Sequence, residues 1–390
     1  MKKNITEKSV ESKLTRTMIR MIREQAGKQK LTIGLDLGDR KTHVCILDEQ
    51  GEVFVEDQLT STKTGIGRLF EKLARCRVAL EVGTHSPWMS RLIASFGHEV
   101  IVANPRNVAW IIDSRRKNDR IDAEKLARLA RFDPKVLSPI QHRSEDAQRD
   151  LVEIRTRAVL VEARTKIVNS VRGQAKALGY RLRSCDTDLV EPDLAAELPE
   201  AARLLLQPLL EAVAGLTVQI LQSNQRIHEV AKRYPEIELL TAISGVGELT
   251  ALTFVLTIDN EQRFDKSRAI GAYLGLVPGQ SQSGKSDPQQ RITKEGDRMM
   301  RSLLVQCAHC ILRRNGPDSD LRRWGLAKID EQTQEAVKKG GKAVPRKKRV
   351  LVAVARKLAV LMHRLWVNGE VYDPLYLAKQ RAAAALKSAA

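Results

Sequence analysis

The chain has 390 residues and carries 66 Lys and Arg against 47 Asp and Glu, a formal charge of +19. A hydrophobic fraction of 43% beside 29% charged residues excludes wholesale disorder, and the length suits two or three folded domains. No stretch is expected to reach the roughly 18 apolar residues of a membrane span. The basic start Met1-Lys2-Lys3 leads into mixed Lys, Arg and Glu without the apolar run of a signal peptide. Five scattered cysteines do not make a disulfide framework and point to a reducing compartment. The surplus of positive charge favours a polyanion, nucleic acid first, while aromatics at 4% favour gripping phosphates over stacking on bases.

Residues 1–30 place Val10, Leu14, Met18, Ile19 and Ile22 at helical spacing, which reads as a short basic amphipathic helix or a frayed arm. From Leu31 the pattern turns to strands. Leu31 to Gly38 is an apolar strand ending in Asp36-Leu37-Gly38, followed by Thr42 to Asp48, a turn at Gly51, and Val53 to Glu56. A helix is predicted over 64–76, a strand from Arg77 through Glu81, and a helix from Pro87 to Phe96 with proline near its start. A strand then runs from Glu99 to Asn104, stopped by Pro105, and a helix from Arg120 to Phe132 carries Ile121, Leu126, Leu129 and Ala130 as its stripe. A strand hairpin followed by alternating helices and strands gives an α/β domain with a mixed sheet over 31–142.

Residues 143–235 show no strand signal, and Leu151, Ile154, Ala158, Val161, Ile167, Val168 and Val171 recur at helical spacing. Two long antiparallel helices, broken over 185–200, make a coiled-coil-like hairpin. The part from 236 to 374 is mainly helical, with a tight glycine turn at Gly245-Val246-Gly247 between two helices. A polar loop spans Pro278 to Gln290, Lys338 to Arg349 reads as a basic loop broken by Pro345, Val350 to Trp366 as a helix, and 375–390 as a frayed tail.

Four carboxylates could carry chemistry. Asp36 and Glu81 close two strands of one sheet, each with a glycine two residues on (Gly38 and Gly83), and Asp119 and Asp122 share one face at a helix start. Oxygen-only ligands select Mg²⁺ or Mn²⁺ over Zn²⁺, and such a site suits phosphodiester chemistry. Taken singly, each acid could equally be a surface residue or a cap, Asp119 above all. A second candidate is the loop with Ser281, Ser283 and Gly284, followed by Lys285, Arg291, Lys294 and Arg298. A serine there could attack a phosphate whose charge those cations stabilise, or the loop could simply grip phosphate.

These motifs together resemble the IS110 family of transposases. The first domain is similar to that family's RuvC-like, RNase H-fold domain through Gly34-Leu-Asp36-Leu-Gly38, Ala79-Leu-Glu81-Val-Gly83, Ala103-Asn-Pro105 and Lys117-Asn-Asp119-Arg-Ile-Asp122. The last domain resembles the family's second transposase domain through Ile243-Ser-Gly-Val-Gly247, Tyr273-Leu-Gly-Leu-Val-Pro278, Ser283-Gly284 and Arg291-Ile-Thr-Lys-Glu-Gly-Asp297. The resemblance implies a metal-binding tetrad of Asp36, Glu81, Asp119 and Asp122, and a nucleophilic Ser283 with Ser281 close by. The sequence departs from the family at Lys285-Ser-Asp-Pro, where relatives often carry a second glycine or other basic residues. The resemblance also implies Mg²⁺ as cofactor, double-stranded DNA as substrate and a noncoding guide RNA, for a cytoplasmic protein at the nucleoid. The acids and the serine lie more than 150 residues apart and the helical hairpin of 143–233 is a natural dimerisation element, so a homo-oligomer, a dimer or tetramer, is expected to complete the site between protomers.

Two other readings keep the fold and change the chemistry: a metal-dependent junction nuclease that uses water instead of serine, and an inactive nucleic-acid-binding relative. Lys338, Lys339, Lys342, Arg346, Lys347, Lys348 and Arg349 make a further nucleic-acid contact. Cys307-Ala-His-Cys310 lies in an apolar helical run without a second pair at zinc-finger spacing, so it reads as core. His43 and His85, beside the acids, read as packing or hydrogen-bonding residues, and the glycine turn at 245–247 as either a phosphate contact or a plain turn.

Overall fold

A computed structural model of the chain describes residues 16–104, 119–284, 286–288, 290–338 and 347–389. It divides into two compact units between His142 and Arg143.

The first unit is built on strands β1 (Thr32–Leu37), β2 (Lys41–Leu47), β3 (Val53–Thr60), β4 (Arg77–Glu81) and β5 (Glu99–Ala103), with helices α1 (Arg16–Ala26), α2 (Lys63–Phe70), α3 (Ser86–Ser95) and α4 (Asp119–Phe132). The strands lie in the order β3-β2-β1-β4-β5, a mixed sheet of five. The β1-β2-β3 meander is antiparallel, and β4 and β5 run parallel to β1. Alternation divides the side chains of β1 between two faces. Ile33 and Leu35 pack with Ile66, Leu69 and Phe70 of α2 and Met89 and Ile93 of α3. On the other face Cys45 and Leu47 meet Ala123 and Ala127 of α4, and Ala79, Ile101 and Ala103 meet Leu126 and Ala130. The sheet is therefore sandwiched, as parallel strands require.

Of the two readings of residues 1–30, helix or frayed arm, the structure has the helix: α1 carries Ile22, fully buried in the same core as β1. One boundary differs from the sequence expectation. The helix expected over 64–76 ends at Phe70, and the Leu73 N–H closes a turn onto the Phe70 carbonyl before β4 begins.

In the second unit, α5 (Glu145–Ala177) and α6 (Glu200–Ala231) are long helices. Glu153 pairs with Arg226, Arg164 donates to Thr217, and Val168 and Val171 pack with Leu210 and Val213, so the two helices run antiparallel. Among the described helices, α6 is long and apolar enough to cross a membrane, where the sequence reading expects no such stretch. Gln207, Glu211 and Gln219 break the continuous run, yet the helix is apolar on average. It is also apolar on two sides: Leu206, Leu210 and Val213 are buried, while Leu204, Leu205 and Leu221 are exposed.

The rest of the unit is α7 (Glu236–Thr241), α8 (Glu248–Ile258), α9 (Ala269–Tyr273), α10 (Arg298–Ile311), α11 (Asp320–Lys338), α12 (Lys347–Asn368) and α13 (Tyr376–Ala389). Every residue of α8 from Thr250 to Ile258 is buried, so α8 is the centre of this core. Lys338 ends α11 and Lys347 opens α12, so both described ends of the expected basic loop are helical; residues 339–346 lie outside the described part. The tail expected to fray forms α13. Its alanine-rich sequence favours helix, and its start is tied down by the Leu377 N–H donating to Asp320 and the Leu375 N–H to Asp373.

Candidate active site

Asp36 and Glu81 sit at the carboxyl ends of neighbouring parallel strands, β1 and β4. Gly34 is level with Ala79 and Leu35 with Leu80, so the next residue pair along the strands brings Asp36 level with Glu81. Ala79 packs under α4, and alternation puts Glu81, and with it Asp36, on that same face. α4 runs opposite to β1. Its last turns lie at the amino end of the strand, where Arg77 donates to the Ala130 carbonyl; its first turn lies at the carboxyl end, with Asp119 3.9 Å from His43, the antiparallel neighbour of Asp36. One end of one sheet face therefore carries all four sequence-predicted acids.

The backbone makes that placement tight. A Cβ on Gly34 would stand 2.0 Å from the Ala123 carbonyl oxygen, so α4 lies directly on β1 and only glycine fits. Gly38, just past Asp36, is equally closed, since its Cβ would meet the Lys41 carbonyl at 2.3 Å. Ser61 Oγ donates to the Gly38 carbonyl at 2.8 Å and contacts Thr42 Oγ1 at 2.9 Å, fixing the turn after Asp36. Past Glu81, the Gly83 N–H donates to Ser86 Oγ at 3.0 Å and that hydroxyl donates to the Gly83 carbonyl at 2.8 Å. Ser61, Thr42 and Ser86 are positioning residues that sequence reasoning missed, because no spacing rule links a serine to a strand end in another element.

Asp119 is exposed, while Asp122 is mostly covered and lies 3.8 Å from Lys125. Among the described residues, no three His, Cys, Asp or Glu side chains are grouped as a metal would hold them. The set fits a hard divalent cation in donor type and in placement at one end of one face. His43 Nε2 lies 2.9 Å from Gln58 Nε2, and His85 accepts from Trp88 and approaches Asp39 at 3.6 Å, so both histidines have hydrogen-bonding roles.

The serine belongs to a different kind of structure. The stretch expected as a plain loop is a short hairpin. Its stem is held by Lys294 N–H donating to Gly275 O, Thr293 N–H to Val277 O, and Gly279 N–H to Arg291 O. At the tip Ser283 and Ser286 exchange both backbone hydrogen bonds at 3.0 Å, leaving a two-residue connection that begins with Gly284 at φ +55°. Positive φ there suits glycine. Ser281 and Ser283 are both exposed, and Ser283 stands at the tip. Gly275, at φ +66°, anchors the base, where a Cβ would lie 2.3 Å from the Glu295 backbone. Arg301 donates to the Leu274 and Glu295 carbonyls, and Asp297 caps α10 through the Met300 N–H while pairing with Arg155. Arg301 and Asp297 also escaped sequence reasoning as determinants of the hairpin.

Comparison with known proteins decides the family. A transposase model, that of the IS110 DEDD transposases, matches residues 33–178, and a second, the transposase IS116/IS110/IS902 family, matches 237–322. The chain belongs to the IS110 family of transposases. It is 28% identical to a "Probable family 20 transposase" of Pseudomonas aeruginosa over 75% of this chain and 87% of the relative. It is 26% identical to the transposase for insertion sequence element IS1111A of Coxiella burnetii, over 90% of this chain and 93% of the relative. The transposase for IS1328 of Yersinia enterocolitica is 28% identical, over 72% of this chain and 84% of the relative. Like transposases generally, this enzyme cuts and rejoins DNA.

The transposase displays its candidate DNA-contacting cations unevenly. Arg291 and Lys294 are exposed on the returning side of the hairpin, Lys294 at φ +58°, and Arg298 is exposed at the start of α10. Lys338 is exposed at the end of α11, and Lys347, Lys348 and Arg349 form the exposed first turn of α12. Lys285, Lys339, Lys342 and Arg346 lie outside the described residues. Cys307 is buried, and burial raises its thiol pKa, while Cys310 is exposed; the pair belongs to the core helix α10. A Cβ on Gly245 would meet Ile311 and Cys310 at 3.2 and 3.3 Å, so the turn between α7 and α8 is packed against α10.

Proposed function

We propose that this transposase cuts and rejoins DNA of an insertion sequence through a covalent phosphoserine at Ser283, assisted by Mg²⁺ at Asp36, Glu81, Asp119 and Asp122. The observation that carries the reading is the placement of Asp36 and Glu81 at one end of one sheet face, with Asp119 and Asp122 on the first turn of the helix that only glycine at position 34 admits. The sheet order, with its antiparallel meander and two parallel strands, supports the RNase H-like, RuvC-like reading of the first unit, and we read α5 with α6 as its coiled-coil linker.

Ser283 Oγ attacks the phosphorus of a DNA strand, forming the Oγ–P bond as the bond from phosphorus to the 3′ oxygen breaks. The hydroxyl proton is lost and the leaving 3′ oxygen gains one, so the cut ends as a 5′-phosphoserine and a 3′-hydroxyl. A 3′-hydroxyl of another strand reverses the step and releases the serine. Arg291, Lys294 and Arg298 hold the phosphate chain beside the serine. The carboxylates bind the cation, which when present neutralises charge on the phosphate oxygens and the leaving group. Double-stranded DNA is the substrate, a noncoding RNA selects the sites, and the protein works in the cytoplasm as a homo-oligomer.

The deciding experiment is a denaturation-resistant protein–DNA adduct formed with Mg²⁺. It is expected with the wild type and absent in Ser283→Ala. If Ser283→Ala still cleaves, water is the nucleophile and the covalent route is wrong. Mixing Asp119→Ala with Ser283→Ala chains restores activity if two copies share the work, and the absence of rescue removes that element.

A further inference from the structure

We propose that the groove between α11, α12 and α13 is a binding site for unpaired DNA, in which bases lie against Trp324, Tyr372 and Tyr376 while phosphates meet Lys357, Arg356 and Arg381. Neither the four acids nor the serine hairpin contributes to its lining. Its cavity, about 1260 Å³, exceeds an ordinary small-molecule pocket and suits a segment of polymer.

Two observations favour nucleic acid. The chain holds only fifteen aromatic residues of the Phe, Trp and Tyr type, yet three of them line this one groove. Trp324 and Tyr372 are packed against the core of the unit on one side, while Tyr376, Leu377 and Val371 stay exposed, Val371 at 83%. Trp324 and Tyr376 each carry a cation over the ring, Lys357 and Arg364 at 4.6 and 5.5 Å from the ring centres, and a base that stacks there takes the place of a long, flexible side chain.

The second observation is charge. Five cations and three acids line the groove, and the acids are already engaged. Glu370 pairs with Arg364 at 3.0 Å, Asp373 with Lys379 at 2.8 Å, and Asp320 accepts the Leu377 N–H. The Asn368 hydrogen bond, with Arg364, holds the Glu370 carboxyl below the usual range, and the Lys379 hydrogen bond does the same for Asp373, so both remain ionised and committed. Arg323 is tied to Asp318. Among the described residues no carboxylate pairs with Arg356, Lys357 or Arg381. Lys357 Nζ instead lies over the Trp324 ring, so a base that takes that face frees this cation for the phosphate chain. An aromatic floor with surplus cations at its edge matches a polyanion that carries flat bases. Duplex DNA hides its bases inside the stack, so the match is to unpaired strands, which a DNA-cutting and rejoining enzyme generates.

The test uses the full-length transposase and fluorescein-labelled DNA single strands, followed by anisotropy. Trp324→Leu keeps an apolar side chain and removes the ring, and should weaken single-strand binding about tenfold, whereas Trp324→Phe stays within about twofold of the wild type. Lys357→Ala should lower the slope of log affinity against log salt by about 0.7, the value for one phosphate of a single strand. Bromodeoxyuridine strands should crosslink to peptides carrying Trp324 or Tyr376, and should do so equally in Ser283→Ala, which separates this site from the covalent chemistry. The proposal is overturned if Trp324→Leu and Trp324→Phe bind alike, or if duplex affinity falls as much as single-strand affinity. It is also overturned if RNA of the same sequence binds tenfold tighter than DNA, or if Trp324→Leu changes the oligomeric state.

Discussion

The acids and the serine of this transposase are presented in opposite ways. Asp36 and Glu81 end strands in the middle of a sheet, each followed by a turn that a serine hydroxyl locks, under a helix resting on bare backbone at Gly34. Ser283 stands on the exposed tip of a hairpin whose stem has a few backbone hydrogen bonds and whose base is rooted in the core at Leu276. Carboxylates that act together need their backbones held in fixed register, which neighbouring strand ends supply. A nucleophile that must reach a phosphate, form a bond and be released is suited by a tip that can move on a fixed base.

The sharpest break of this comparison is at the acids themselves. Asp36→Asn and Asp119→Asn should each lower strand cutting by about 10²–10³-fold or more, the scale seen when a charge-stabilising group is lost from an active site. Binding of uncut DNA should stay near the wild-type level in both. Quantified cleavage of a labelled element end beside a mobility-shift titration separates the two effects. Equal loss of binding and cutting would mean that the acids shape the fold and do not serve the chemistry.

Next in size is the scaffold. Gly34→Ala places a methyl on the Ala123 carbonyl oxygen and should destabilise the first unit by about 3 kcal/mol, the upper range for overpacking a core. Thermal unfolding should show a transition that moves for the first unit and stays for the second. Gly275→Ala is the counterpart in the second unit. It forces a side chain into φ +66° and against the Glu295 backbone, so the hairpin base shifts. The adduct at Ser283 should then form more slowly, with the melting of the first unit unchanged. If Gly275→Ala leaves adduct formation intact, the hairpin needs no fixed base.

Much of this contrast is legible in the sequence, for physical reasons. Strand ends announce themselves because alternation stops at a polar residue followed by glycine, as at Asp36–Gly38 and Glu81–Gly83. The first turn of α4 is equally plain, since Asp119 and Asp122 precede an apolar stripe. The locks on those ends are not legible: Ser61 reaches Gly38 from 23 residues away, and nothing local marks it. The hairpin around Ser283 looks like a loop because its stem pairs Gly275 and Val277 with Lys294 and Thr293, without the alternating apolar residues of a strand. The groove around Trp324 is illegible for a related reason. Its aromatic residues come from α11, the turn after α12 and α13, and only packing gathers them.

The smallest expected effect concerns the cations of α12. Lys347, Lys348 and Arg349 occupy its first turn, with no acidic residue among them, at the end where the helix dipole disfavours positive charge. A helix built for stability alone would carry acids there. Lys347→Ala and Lys348→Ala should therefore raise the melting temperature of the second unit slightly, by relieving that repulsion. If these side chains meet DNA phosphates, each change should also weaken duplex binding across sequences and lower its salt slope by about 0.9. The two readouts then move in opposite directions, which a purely structural role does not produce. A rise in stability with an unchanged salt slope would assign these lysines to solvent, and leave the phosphate grip of this unit to Arg291, Lys294 and Arg298 around the serine.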